Sequence, residues 1–147
     1  MAPAPDGLRF FVDETSLGLG KVLAIARQDV IHTGHRLIPE VPCGALDDEW
    51  MPIVAEFGLA VITRDKKIRN KHAKTLLYSD YGLRVFAIGG KQNLSNWETL
   101  VRVVHRWSDI ERELKEHGPG PWFKMVNASR LADLHIKDRD VGRSSHQ

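Results

Sequence analysis

Apolar and polar positions along this chain change period several times, and each change marks an element boundary. Short, nearly continuous apolar runs recur as "LRFFV" from Leu8, "VIH" from Val30, "LAVIT" from Leu59, "LRVFAI" from Leu83 and "PWFKMV" from Pro121. Runs this short, rich in β-branched and aromatic residues and bounded by acids or glycine, read as buried strands. Between them the period lengthens to that of a helix. Leu19, Val22, Leu23 and Ala26 form one stripe behind a cap at Thr15 or Ser16. The stretch "DDEWMPIVAEFG", 47–58, opens with three acids and stops at a glycine, the charge order that suits a helix dipole. Pro52 falls within its first turn or so, where a missing N–H is tolerated. A basic helix is expected from near Asp65 towards "LLYSDYG". A long regular one is expected over 95–118, with Trp97, Leu100, Val101, Val104 and Trp107 as its apolar stripe and Gly118 with Pro119 as its end.

Strands alternating with helices predict one α/β domain, a three-layer α/β/α sandwich around a mainly parallel central sheet. The expected domain spans 1–135, and a flexible polar tail without periodicity follows over 136–147. Ligands of such sheets bind outside the carboxyl ends of the strands, so the residues that follow each strand matter most. Gly18 and Gly20 are unusual so early in a helix and would let its backbone come close to a strand or a ligand.

Acids stand where that rule directs attention. Asp13 and Glu14 close the first strand, Asp65 follows "LAVIT", and Asp47, Asp48 and Glu49 open the intervening helix. Carboxylates brought together repel one another unless they share a cation, and hard oxygen donors select Mg2+ or Mn2+ over softer metals. From Arg64 to Lys74, six of eleven residues are Lys or Arg, and Asp65 is the only acid. Such a run attracts polyanions, and it equally suits an exposed helical face.

Taken in order, "FVDETSLG", "DDEWMPIVAEFG" and "LAVITRDKK" resemble the PIN-like nuclease domains, in particular the VapC-type toxin branch. The resemblance covers an acid pair closing the first strand, an acid opening a helix seven residues ahead of Ala55, and a T-x-D motif at Thr63 and Asp65. It implies a Mg2+- or Mn2+-dependent endoribonuclease, the toxin of a pair silenced by a cognate antitoxin. Asp13, Asp48 and Asp65 would then be the catalytic metal ligands, with Glu14 and Glu49 as second candidates. Thr63 would hydrogen-bond within the acidic cluster, and Arg64, Lys66, Lys67, Arg69 and Lys71 would position the RNA. Two departures stand out. Lys67 occupies a place where relatives often carry an acid, and the stretch after "AIGG" offers only Asn93, Asn96 and Glu98. They favour a second reading, a catalytically inactive RNA- or partner-binding module on the same scaffold. A receiver-like regulatory domain is a third, resting on the α/β alternation.

Composition narrows the setting. Apolar content of 42%, charged content of 27% and a net charge of +2 are those of an ordinary soluble domain. The first residues lack the basic and apolar regions of a signal peptide, and no run approaches the roughly 18–20 apolar residues that cross a bilayer. Cys43 is the single cysteine, so an intramolecular disulfide is excluded and a reducing cytoplasm is expected. His32 and His35 have no partners at zinc-ligand spacing. Apolar faces on the long helix would support a homodimer.

Overall fold

The computed structural model describes residues 7–70, 72–89 and 93–134. Six strands form one sheet: β1 (Phe10–Val12), β2 (Val30–His32), β3 (Ala60–Thr63), β4 (Arg84–Ile88), β5 (Trp122–Val126) and β6 (Leu131–Asp133). Their order is β2-β1-β3-β4-β5-β6, parallel throughout except for the antiparallel β5–β6 pair. The helices are α1 (Leu17–Ala26), α2 (Asp47–Phe57), α3 (Lys67–Asn70), α4 (His72–Asp80), α5 (Asn96–His105) and α6 (Trp107–His117), with a 3-10 turn over Glu14–Ser16.

The apolar runs are continuous because successive side chains alternate between two cores. Phe11, Val61, Val85 and Phe123 point to one face and pack with Trp50, Met51 and Val54 of α2, Ile68 of α3 and Tyr78 of α4. Phe10, Ala60, Ile62, Phe86 and Trp122 point to the other, against Leu19 and Leu23 of α1, Val103 of α5 and Ile110 of α6. A slip of one residue in β1 would exchange Phe10 and Phe11 between these cores, so burial fixes the register. The result is the three-layer α/β/α sandwich with a mainly parallel sheet that the hydrophobic pattern predicts.

Close approach explains Gly20. A Cβ there would lie 2.7 Å from the Cβ of His32 and 3.1 Å from that of Val12, so α1 seats directly on β1 and β2 only because the side chain is absent. Gly58 ends α2 in the left-handed conformation, at φ 73°.

Four details depart from the sequence pattern. The long helix over 95–118 is two helices that meet at Arg106, whose φ of −95° and ψ of 3° leave the helical region. The bend keeps Val103, Trp107 and Ile110 on the same core, and Arg106 fastens the corner by donating to Asp109 and to the carbonyl of Ser129. Trp97, placed by spacing in the apolar stripe, is 71% exposed. The strand over 121–126 is followed by another, β6, which covers the sheet edge. Pro52 lies in the second turn of α2, and the carbonyl it leaves without a helical donor is that of the exposed Asp48. The tail over 136–147 and the last residue of the expected 1–135 domain lie outside the described residues.

Candidate active site

In this strand order the connection from β1 to β2 runs over one face and that from β2 to β3 over the other. The chain therefore switches faces between β1 and β3, and a crevice opens at their carboxyl ends. Asp13 directly follows β1, where its N–H donates to the carbonyl of Ile62 in the neighbouring strand. Asp65 follows β3 by two residues. The first residue of α2, Asp47, and the first turn of α4, at Lys74, close the same crevice. Asp13, Glu14, Asp47 and Asp65 thus line one cleft of about 80 Å³ together with Lys74 and Trp50. That volume accepts a small ion and a few waters, and no nucleotide base.

Asp13 is the buried centre. Thr15 Oγ1 donates to its Oδ1 at 2.6 Å and Thr63 Oγ1 to its Oδ2 at 2.7 Å. Thr63 Oγ1 in turn accepts the N–H of Asp65 at 3.0 Å, and Thr15 Oγ1 accepts that of Arg64. The hydroxyl of the T-x-D motif therefore links the two acids. Burial pushes the Asp13 carboxyl up to about 6, against the two hydroxyl donors, and the charge of Asp65 adds to the rise. Tyr78, fully buried, places its hydroxyl beneath this cluster, near Thr63 but without a hydrogen bond of good geometry. Burial, then the charges of Asp13 and Asp65, hold that phenol well above its ordinary range.

Asp65 is clamped at both oxygens. Its Oδ1 accepts the N–H of Lys67 at 2.9 Å, and its Oδ2 lies 2.8 Å from the Lys74 ammonium. Asp47 is held the same way, with Trp50 Nε1 donating to Oδ1 at 3.0 Å and Lys74 paired with Oδ2. Burial alone would lower the Lys74 pKa, but its two carboxylate partners raise it, so the ammonium stays charged.

Position by position, the expected site residues separate into two groups. Asp13, Asp65 and Glu14 line the cleft, with Thr63 buried behind it and bonded to Asp13, and Glu14 Oε1 accepts the N–H of Gly44 at 2.7 Å. Asp48 and Glu49 are exposed and do not line it. Glu49 instead caps its own helix by accepting the N–H of Leu46. The helical register explains the difference: with α2 starting at Asp47, it is Asp47 that turns to the sheet with Trp50, Met51 and Val54. In the basic run, Arg64 donates to the carbonyl of Leu94 and Lys66 to the side chain of Asn93, while Lys67 is exposed. Lys71 and the side chain of Arg69 lie outside the described residues. Glu98 belongs to a capping box with Ser95, and neither it, Asn93 nor Asn96 lines the cleft.

A hard divalent ion suits the chemistry of these donors: carboxylates and hydroxyls, with no thiol or imidazole on the cleft wall. Their spacing is set for a different cation. Among the described residues no three acid, His or Cys side chains stand together as a metal-holding group, and the positive charge between Asp47 and Asp65 is the Lys74 ammonium.

The sequence pattern gave Lys74 and Tyr78 no role, set Asp47 among the acids opening α2 while favouring Asp48, and offered Thr15 only as a helix cap. Thr15 had a local signal, two residues beyond Asp13. Lys74 was hidden among five other basic residues.

The chain matches no curated protein and no solved structure. The family model of the PIN like domain matches residues 8–90, which run from β1 through β4 and include every residue of the cleft. This chain belongs to the PIN-like domain family.

Proposed function

We propose that this chain is a Mg2+- or Mn2+-dependent endoribonuclease that hydrolyses RNA phosphodiesters at the β1–β3 cleft. PIN-like domains are generally nucleases. The observation that carries the reading is the convergence of Asp13, Asp65 and Asp47, from three separate elements, on the switch point of the sheet. Asp13 and Asp65 would hold the ion, with Asp47 on the cleft's outer wall and Glu14 beside it. Bound there, such an ion activates water and offsets charge on the phosphoryl group.

The chain's own groups do the positioning. Thr15 and Thr63 orient the Asp13 carboxylate, and the Lys67 N–H orients that of Asp65. Because the cleft is too small for a base, the RNA lies across its mouth with one phosphate inserted. Lys67 projects from that rim and attracts the backbone, and the rest of the run extends the positive field. In the finer reading the chain is the toxin of a VapC-type pair, working in the cytoplasm over a domain spanning 1–135, with a cognate antitoxin as its partner and a homodimer as its assembly. The three sequence motifs support that branch. Among the described residues no helix is long and apolar enough to cross a membrane.

Total RNA incubated with Mn2+, with Mg2+ and with chelator tests the proposal. Cleavage that requires the ion and is lost in Asp13→Asn and Asp65→Asn is expected. Intact RNA under every condition, with salt-sensitive binding retained, favours the inactive module instead, for which the ion pairs of Lys74 are the supporting observation. The receiver-like reading draws on a strand order that receivers share. It lacks support at β5, where Lys124 pairs with Glu113 and Asp133 and does not line the cleft.

A further inference from the structure

We propose that Lys74 is a built-in counter-cation of the active site, which a divalent ion must displace before the site can work. This rests on the metal-dependent reading above and adds how metal occupancy is controlled.

Among the described residues, four acids line the cleft, and Lys74 is the one basic side chain with them. The lysine reaches in from α4, its side chain 17% exposed, and pairs with Asp65 Oδ2 at 2.8 Å and with Asp47 Oδ2. The other oxygen of each acid already belongs to the scaffold. Asp65 Oδ1 takes the Lys67 N–H and Asp47 Oδ1 takes the Trp50 indole N–H. Both carboxylates are therefore oriented by groups that cannot follow an ion, with one oxygen apiece turned into the cleft. Lys74 holds those two oxygens.

A divalent ion binding carboxylate oxygens needs them at about 2.0–2.6 Å. An ammonium at hydrogen-bond distance from the same atoms blocks that approach by volume and by charge. Asp13 alone, buried and with each oxygen already accepting one hydroxyl proton, does not hold the ion without Asp65. Lys74 and the metal therefore compete for Asp65 and Asp47. A lysine suits the role: its flexible stem lets the charge leave without moving α4, whereas a second arginine-like fork would hold both acids bidentately. Once displaced, the ammonium lies at the rim of the cleft, where the substrate phosphate arrives.

Two consequences follow. Metal-free protein is stabilised by Lys74, because the acids are partly neutralised without an ion. Metal affinity is lower than the carboxylates alone would give.

The test is Mn2+ titration of full-length wild type, Lys74→Gln and Lys74→Arg, followed by calorimetry and by melting temperature with and without Mn2+. Lys74→Gln is expected to bind Mn2+ about tenfold more tightly than wild type, the shift that corresponds to losing one modest competing ion pair. It should also melt lower than wild type in chelator and recover with Mn2+. Lys74→Arg, which keeps the charge, should not gain affinity. A second measurement uses the wild type alone and covers the case of a variant that fails to fold. Amine acylation read by mass spectrometry should label Lys74 more strongly when Mn2+ is added, with Lys124 as the unchanging ion-paired reference. Equal or weaker Mn2+ binding by folded Lys74→Gln, or labelling of Lys74 indifferent to Mn2+, overturns the competition while metal-dependent RNA cleavage by the wild type stands. No Mn2+ binding by either protein overturns the metal-dependent reading itself, and the competition with it.

Discussion

Two charged clusters sit at opposite edges of the same sheet, and they solve their electrostatics differently. At the amino edge, Arg9 precedes β1 and Asp29 precedes β2. Arg9 pairs with Asp29 at 2.7 Å and with Glu111 of α6, Arg27 pairs with Asp29 at 2.8 Å, and the Arg27 guanidinium lies 4.7 Å from the centre of the Trp107 ring. Two acids meet two bases. Although burial opposes it, the two guanidiniums hold the Asp29 carboxyl below its ordinary range. At the carboxyl edge, among the described residues, four acids meet one lysine, and Asp13 is pushed up to about 6. The balanced cluster lowers its own free energy and fastens α6 to the sheet. The unbalanced one is unfavourable as it stands and improves when a cation or a proton arrives. Density of charge does not mark the site; the residual imbalance does.

The largest expected effect tests that distinction through chemistry. Asp65→Asn should lower metal-dependent RNA cleavage by about 10³-fold, the scale of removing one preorganised electrostatic group. Asp29→Asn should leave the cleavage rate unchanged. Rates on a labelled RNA at saturating Mn2+ check both. Equal losses from the two edges would mean that the contrast between them is not functional.

The next effect is on stability and runs against intuition. In chelator, Asp13→Asn should stabilise the protein by about 3 kcal/mol near pH 7, although it removes a residue of the site. The sign follows from the direction of the shift. The folded-state pKa is about 6 against an ordinary 3.8, so the folded protein binds this proton more tightly than the unfolded chain does. Below about pH 4 both states are protonated and the carboxyl carries no penalty. Stability is lost as pH rises from about 4 to about 6, and the full penalty remains above that. The gain from the amide should therefore vanish near pH 4. Rearranging one of the two threonine hydroxyls subtracts about 1 kcal/mol at most. Urea unfolding at the two pH values measures it.

At the other edge the sign reverses. Asp29→Asn should destabilise by about 2 kcal/mol near pH 7, because two half-buried guanidiniums lose a shared partner. Asp29 titrates below its ordinary value, so its contribution is present above that value and is lost as pH falls through the lowered one. The wild-type and variant denaturation midpoints should converge in acid.

How much of this contrast the sequence revealed depends on range. Continuous apolar runs such as "FFV" and "AVIT" disclose the sheet because burial on both faces is written locally, residue by residue. The pair Asp13 and Asp65 was legible for the same reason, each standing at the end of such a run. The choice between Asp47 and Asp48 was not. Adjacent residues on a helix point about 100° apart, and only packing of Trp50 and Met51 against the sheet sets which acid turns inward. Lys74 was illegible for a further reason: a lysine in a basic run carries no local mark of being folded back. The break at Arg106 likewise follows from contacts across the chain, with Ser129 and with the ring of Phe10 against Trp107.

The smallest expected effect concerns the basic run, and it sharpens the comparison most. Arg64 and Lys66 are tied to Leu94 and Asn93, while the Lys67 side chain is exposed. Lys67 supports the cleft only through its backbone N–H, which Lys67→Ala retains. The variant should therefore keep Mn2+ binding and lose RNA affinity severalfold. The slope of log affinity against log salt should fall by about 0.7–1, the signature of one phosphate contact removed. Lys66→Ala should change the slope less, since its ammonium already faces an amide oxygen. An unchanged slope in Lys67→Ala would instead assign the basic run to docking the 93–95 segment, and RNA would have to approach the cleft from the α2 side, where Asp48 and Glu49 would repel it.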